Sequence, residues 1–87
     1  MKQVTYTSKS LAFLSKQTKT NVVRIKNKIN MYAENPESQR NNIKALHGTM
    51  SGYIRLRIGN FRAILDEDYN VITVYDINAR GEIYKGR

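Results

Sequence analysis

Two alternating runs that meet at Gly59-Asn60 constrain this chain more than any other segment. Gly52-Tyr53-Ile54-Arg55-Leu56-Arg57-Ile58 precedes the turn and Phe61-Arg62-Ala63-Ile64-Leu65 follows it. Period-two alternation broken by a two-residue turn signal specifies a β-hairpin. Successive side chains of a strand point to opposite faces, so Ile54, Leu56 and Ile58 share one face and Tyr53, Arg55 and Arg57 the other. On the second strand Phe61, Ala63 and Leu65 alternate with Arg62 and Ile64. If the first set of each strand faces a core, three arginines and a tyrosine collect on the opposite side. A sheet face that gathers guanidinium groups beside an aromatic ring is suited to phosphate.

The remaining segments supply the layers this hairpin needs. Gln3 to Tyr6 reads as a short strand with Val4 and Tyr6 on one face. Thr7 or Ser8 caps a helix through Ser10-Leu11-Ala12-Phe13-Leu14-Ser15-Lys16, because a short hydroxyl satisfies the orphan N–H groups of a helix start. A break around Thr18-Lys19-Thr20 leads into a longer helix, where Val22, Ile25, Ile29 and Tyr32 recur as one buried stripe. Asn35-Pro36 ends it, since the residue before proline avoids helical geometry. Residues 35–42 are polar and read as a loop, and Ile43-Lys44-Ala45-Leu46 leads to a second loop, His47 to Ser51. After the hairpin, Asp66-Glu67-Asp68 reads as an acidic turn, and Asn70 to Ile77 is a strand rich in β-branched residues. The expected fold is a single α+β domain over residues 1–87, in the order β-α-α-β-β-β. Two N-terminal helices pack on one face of a small, mainly antiparallel sheet of three or four strands. Leu11, Leu14, Val22, Ile25 and Ile29 are expected to bury against Ile54, Leu56, Phe61 and Leu65.

Charge narrows the partners. The net charge is +8, and the first 33 residues carry seven basic side chains and no acid. Such a surface attracts polyanions, nucleic acid first among them. With no cysteine and one histidine, thiolate metal sites and cysteine–histidine nucleophiles are excluded. Asp66 to Asp68 lack the alternating ligand spacing of a calcium loop, so no metal site and no cofactor are expected. No apolar run approaches the roughly 20 residues that span a bilayer. The first residues lack the apolar core of a signal peptide, so a cytoplasmic protein is expected.

The chemistry then falls to arginine, lysine and tyrosine. Arg55, Arg57 and Arg62 belong to neighbouring strands of one patch, and Arg80 and Tyr84 follow the last strand closely enough to reach it. Arginine grips phosphate bidentately and stays charged, which suits a site that stabilises extra negative charge on a cleaving phosphodiester. Tyrosine stacks on a base or passes a proton, although nearby cations must lower its pKa from about 10 for the latter. A solvated basic sheet face, or pairing of Arg62 with Asp76, is the plainer alternative. His47 lies in a Leu-His-Gly turn and is read as incidental, and Tyr32 as core.

Three motifs together resemble the RelE/ParE superfamily of toxin–antitoxin toxins: Leu46-x-Gly48, the hairpin from Tyr53 through Arg55-Leu56-Arg57 to Phe61-Arg62, and Ala79-Arg80-Gly81-x-Ile83-Tyr84. The resemblance covers essentially the whole chain and includes the helical hairpin ending at Asn35-Pro36. It implies a compact toxin held inactive by a cognate antitoxin. For RelE-like members it implies metal-independent, ribosome-dependent cleavage of mRNA. By position, Arg62, Arg80 and Tyr84 become the catalytic residues, with Arg55, Arg57, Lys44 and Lys85 binding RNA. RelE-like sites often carry lysine on the first hairpin strand, where this chain has arginine or Ile54. Arginine cannot take part in proton transfer as lysine does. The resemblance leaves two other activities open: ParE-like inhibition of DNA gyrase, and antitoxin binding without catalysis.

Overall fold

Strand β1 (Gln3–Tyr6) runs directly into Thr7, whose extended backbone and hydroxyl cap helix α1 (Ser8–Ser15). The Thr7 hydroxyl accepts from the Ser10 N–H at 3.2 Å and donates to the Tyr75 carbonyl at 2.7 Å, tying the helix start to the far strand. In this computed structural model, which describes residues 2–79, α2 (Lys19–Glu34) follows after a second threonine cap. There Thr18 accepts from the Asn21 N–H at 3.2 Å. Asn35, extended before Pro36, ends α2 as the sequence requires.

The polar segment is more ordered than a loop. Pro36–Asn42 forms 3-10 turns that meet at Gln39, and Gln39 is buried there. Strand β2 (Ile43–Ala45) comes next, then a single 3-10 turn over Gly48–Met50. The hairpin is β3 (Tyr53–Ile58) and β4 (Phe61–Asp68), followed by β5 (Val71–Ala79). Gly59 sits at φ 58°, a left-handed conformation that costs glycine nothing, and Ile58 pairs with Phe61 across the two-residue turn.

The sheet has five strands in the order β1-β5-β4-β3-β2, not the expected three or four. It is antiparallel except at one edge, where β1 pairs parallel with β5 in the register Val4 to Ile72 and Tyr6 to Val74. β2 is the strand missing from the expected order. At three residues it is too short for alternation to identify it, and its pairing to Leu56, Arg55 and Ile54 defines it. Asp66, Glu67 and Asp68 are not a turn but the last residues of β4. The turn lies beyond them at Tyr69-Asn70, where Tyr69 takes φ 54°.

Both helices cover one face. Ile25, Ile29 and Tyr32 of α2 and Leu14 of α1 bury with Leu56, Ile58 and Leu65 of the hairpin and Ile72, Val74 and Ile77 of β5. Val22, Ile54 and Phe61 are half-buried against that core, and Phe13 meets Phe61 edge-on at 5.9 Å. Leu11 departs from expectation and is 49% exposed. The buried face of α1 is set by Ser10 and Leu14, and Leu11 lies about 100° around the helix from Ser10. Among the described residues no helix is long and apolar enough to cross a membrane, and no three metal-ligating side chains come together.

Tyr32 closes the core at its polar rim. Its hydroxyl donates to Glu67 Oε1 at 3.0 Å, and Glu67 also pairs with Lys2. Burial pushes the phenols of Tyr32 and Tyr6 above their ordinary pKa. The unfolded chain therefore releases protons that the folded chain still holds. The stability this represents is complete below about pH 10 and is lost as pH rises through that value toward the folded pKa values. Urea midpoints are expected to fall in alkali, and less steeply in Tyr32→Phe, which has one such proton fewer. An identical alkaline slope in the two proteins would exclude Tyr32 as a source.

Candidate functional site

The face of the sheet away from the helices is organised in cross-strand rows. Lys44 of β2 pairs with Arg55 of β3, which pairs with Ile64 of β4 and, beyond it, Asp76 of β5. In the next row Arg57 pairs with Arg62, and Arg62 with Asn78. Alternation in the hairpin thus places its three arginines on one face, as its sequence requires. Like charges directly opposite one another cost a sheet stability, and Arg57 stands directly opposite Arg62. An anion between the two guanidinium groups removes that cost.

These side chains line a pocket of about 220 Å³. Among the described residues its walls are Asn41, Asn42, Ile43, Lys44, Arg55, Arg57 and Arg62, which bring four cations and two amides together. Exposure differs sharply among the cations. Arg57 and Lys44 are exposed and Arg55 is half-buried, whereas Arg62 retains only 8% of its surface. Arg62 is therefore not the solvated side chain that an open sheet face suggests. A buried guanidinium acts through a lower local dielectric, which strengthens its attraction for an anion.

Sequence reasoning missed part of this pocket. Asn41, Asn42 and Ile43 come from the segment read as loop. Arg57 Nη2 donates to Asn42 Oδ1 at 3.5 Å, and Asn42 Nδ2 donates to Gln39 Oε1 at 3.0 Å. Buried Gln39 thus supports Asn42, which in turn steadies Arg57. The available signal was the Asn41-Asn42 pair ending a polar stretch just before a short apolar-basic alternation.

Two described acids share this face: Asp66, exposed and directly opposite Tyr53, and Asp76, which is already engaged. Asp76 takes the Lys9 ammonium at 3.4 Å, the Ile77 N–H at 2.9 Å and the Asn78 amide at 2.9 Å. Next to it, a β-bulge between Ile64 and Leu65 gives β5 one extra residue, Tyr75. The Tyr75 ring meets that of Tyr53 at 5.3 Å, tilted by 44°, with Lys9 Nζ 5.8 Å from its centroid. Exposed His47 lies before the Gly48–Met50 turn, outside the pocket lining. Of the expected site residues, Lys44, Arg55, Arg57 and Arg62 converge. Arg80, Tyr84 and Lys85 lie outside the described residues.

No protein-family model and no curated protein sequence matches the chain. Solved structures do. A chain of the RelE–RelB complex of Pyrococcus horikoshii OT3 superposes with a TM-score of 0.75, at 21% identity over 92% of this chain and 96% of that one. The RelB–RelE antitoxin–toxin complex of Methanococcus jannaschii gives 0.73 at 21% identity, covering 95% of this chain and 98% of the matched one. A YoeB/ParE toxin from Agrobacterium tumefaciens gives 0.72 at 19% identity, covering 88% and 96%. The α+β fold is that of RelE-like toxins.

Proposed function

We propose that this chain is the toxin of a type II toxin–antitoxin pair and acts in the cytoplasm as a metal-independent, ribosome-dependent mRNA endoribonuclease. The observation that carries the reading is the pocket where Lys44, Arg55, Arg57 and Arg62 converge on the open face of a RelE-like sheet. A gyrase-binding surface needs no cluster of cations around a concavity. A phosphodiester site does.

In the proposed reaction the 2′-hydroxyl oxygen adjacent to the scissile bond attacks phosphorus, and the 5′-oxygen leaves. The 2′-hydroxyl gives up its proton and the leaving oxygen gains one, producing a 2′,3′-cyclic phosphate and a 5′-hydroxyl. Arg62 and Arg80 hold the reacting phosphate, while Arg55, Arg57, Lys44 and Lys85 fix the flanking backbone. Tyr84 stacks on a base or assists the proton transfer. The protein's part is to align the hydroxyl in line with the breaking bond and to neutralise charge growing on the phosphorus oxygens. Arginines do this without exchanging protons, so the site works by electrostatics more than by general base catalysis. The partner is an acidic or amphipathic antitoxin segment that covers basic surface, of a kind commonly disordered alone and ordered on binding.

Brief induction followed by mapping of RNA ends tests this reading. The expected result is growth arrest, cuts within translated messages carrying cyclic or 3′-phosphate ends, and relief on co-expression of the neighbouring reading frame. Intact messages with chromosome breaks would move the assignment to gyrase. Harmless high-level expression would leave only antitoxin binding.

A further inference from the structure

We propose that Tyr53 and Tyr75 form a base-stacking subsite for unpaired RNA, beside the phosphate pocket. This rests on the nuclease reading above and adds the form of the substrate: a single-stranded nucleotide, its base unstacked from its neighbours, next to the phosphate gripped by the arginines. Tyr53 lies two residues from Arg55 on the same face of β3, a separation of about 7 Å along a strand. That is within reach of one extended nucleotide, so a phosphate at Arg55 delivers the adjacent base to Tyr53. Tyr75 is brought there by the β-bulge, which sets Tyr75 and Asp76 consecutively on the open face.

The pair is built, not incidental. The two rings lie 5.3 Å apart at 44°, so they do not close into a parallel stack, and Tyr75 remains 40% exposed. Lys9 positions the Tyr75 ring from α1, 5.8 Å from its centroid, and is anchored in turn by Asp76 at 3.4 Å. The Thr7 hydroxyl fixes the Tyr75 carbonyl at 2.7 Å, so the bulge is held from the α1 start as well. An exposed Tyr75 ring and a half-buried Tyr53 ring supported in this way, next to a groove of cations, combine the two elements by which proteins hold single strands: stacking surfaces and backbone charge. A duplex offers no free base face and fits such a site poorly.

The chain contains no tryptophan, so Tyr75→Trp introduces a single reporter. The protein is titrated with a short single-stranded RNA, the same RNA with one abasic nucleotide, and its duplex. Binding is followed by anisotropy of labelled RNA and by the tryptophan emission. Intact single strands are expected to quench the reporter, while the abasic strand and the duplex leave it bright. Tyr53→Ala should weaken binding on the order of tenfold without changing its salt dependence, because a base contact and not a phosphate contact is lost. Arg57→Ala should lower the salt slope by about one. Tyr53→Phe, which keeps the ring, should bind as the unaltered protein does, and circular dichroism of Tyr53→Ala separates a lost ring from lost folding. If the unaltered protein binds RNA and Arg57→Ala weakens it, but Tyr53→Ala and the abasic strand change nothing, the stacking subsite is refuted and the nuclease reading stands. Should the unaltered protein bind no RNA at low salt, the stacking subsite falls, while the nuclease reading is decided separately by the mapping of RNA ends.

Discussion

Arg62→Ala is expected to lower the rate of RNA cleavage by about 10²–10³-fold, the usual cost of removing one preorganised charge contact to a reacting phosphate. The size of the effect follows from where Arg62 sits. It is the buried member of the cation set, directly opposite Arg57 and next to Asn78 in the register of β4. There its charge is screened less than that of the exposed Arg57, whose removal should cost correspondingly less. Arg62→Lys keeps the charge but loses the two-pronged geometry, so its rate should fall between those of the alanine variant and the unaltered protein. In cells, Arg62→Ala should be harmless on induction yet still purify with its antitoxin. Circular dichroism and a urea melt on each variant separate lost chemistry from lost folding. A folded Arg62→Ala protein with full cleavage activity would place the reaction elsewhere on the surface.

Leu56→Ala is expected to destabilise the fold by about 2–5 kcal/mol. Leu56 is fully buried, pairs with Ile43 of β2 and Ala63 of β4, and faces the core that α2 covers. Truncating it leaves a cavity between sheet and helix, lined by side chains that cannot all collapse inward. A small domain has only about 5–15 kcal/mol to lose, so the fraction is large. A second consequence is functional. Arg55 and Arg57 flank Leu56 on the opposite face, so loosening this point of β3 also loosens two walls of the pocket. The urea midpoint should drop with the m-value unchanged. Leu11→Ala, at the exposed position on α1, should change stability by no more than about 0.5 kcal/mol. Equal effects at the two leucines would contradict the packing described here.

Some elements were legible because their cause is local. The hairpin follows from alternation and a glycine turn, and its parity alone puts Arg55, Arg57 and Arg62 on one face. Helix boundaries at Thr7, Thr18 and Asn35-Pro36 follow from capping and proline sterics, which act over three or four residues. The stripe of Ile25, Ile29 and Tyr32 follows from helical periodicity.

What tertiary structure decided has causes distant along the chain. β1 lies parallel to β5, with partners such as Thr5 and Thr73 separated by 68 positions, and no local pattern specifies such a pairing. β2 is a strand because β3 is there to pair with it. The acidic residues extend β4 instead of turning it, because Glu67 receives Tyr32 and Lys2. Sequence therefore determined which cations share a face. Depth was decided only by assembly: Arg62 is enclosed, Arg57 is steadied through Asn42 and Gln39, and Tyr75 is set against Tyr53 by a bulge. Alternation is a property of one strand's backbone, whereas burial, bulges and braces are made by the neighbours that the strand acquires on folding.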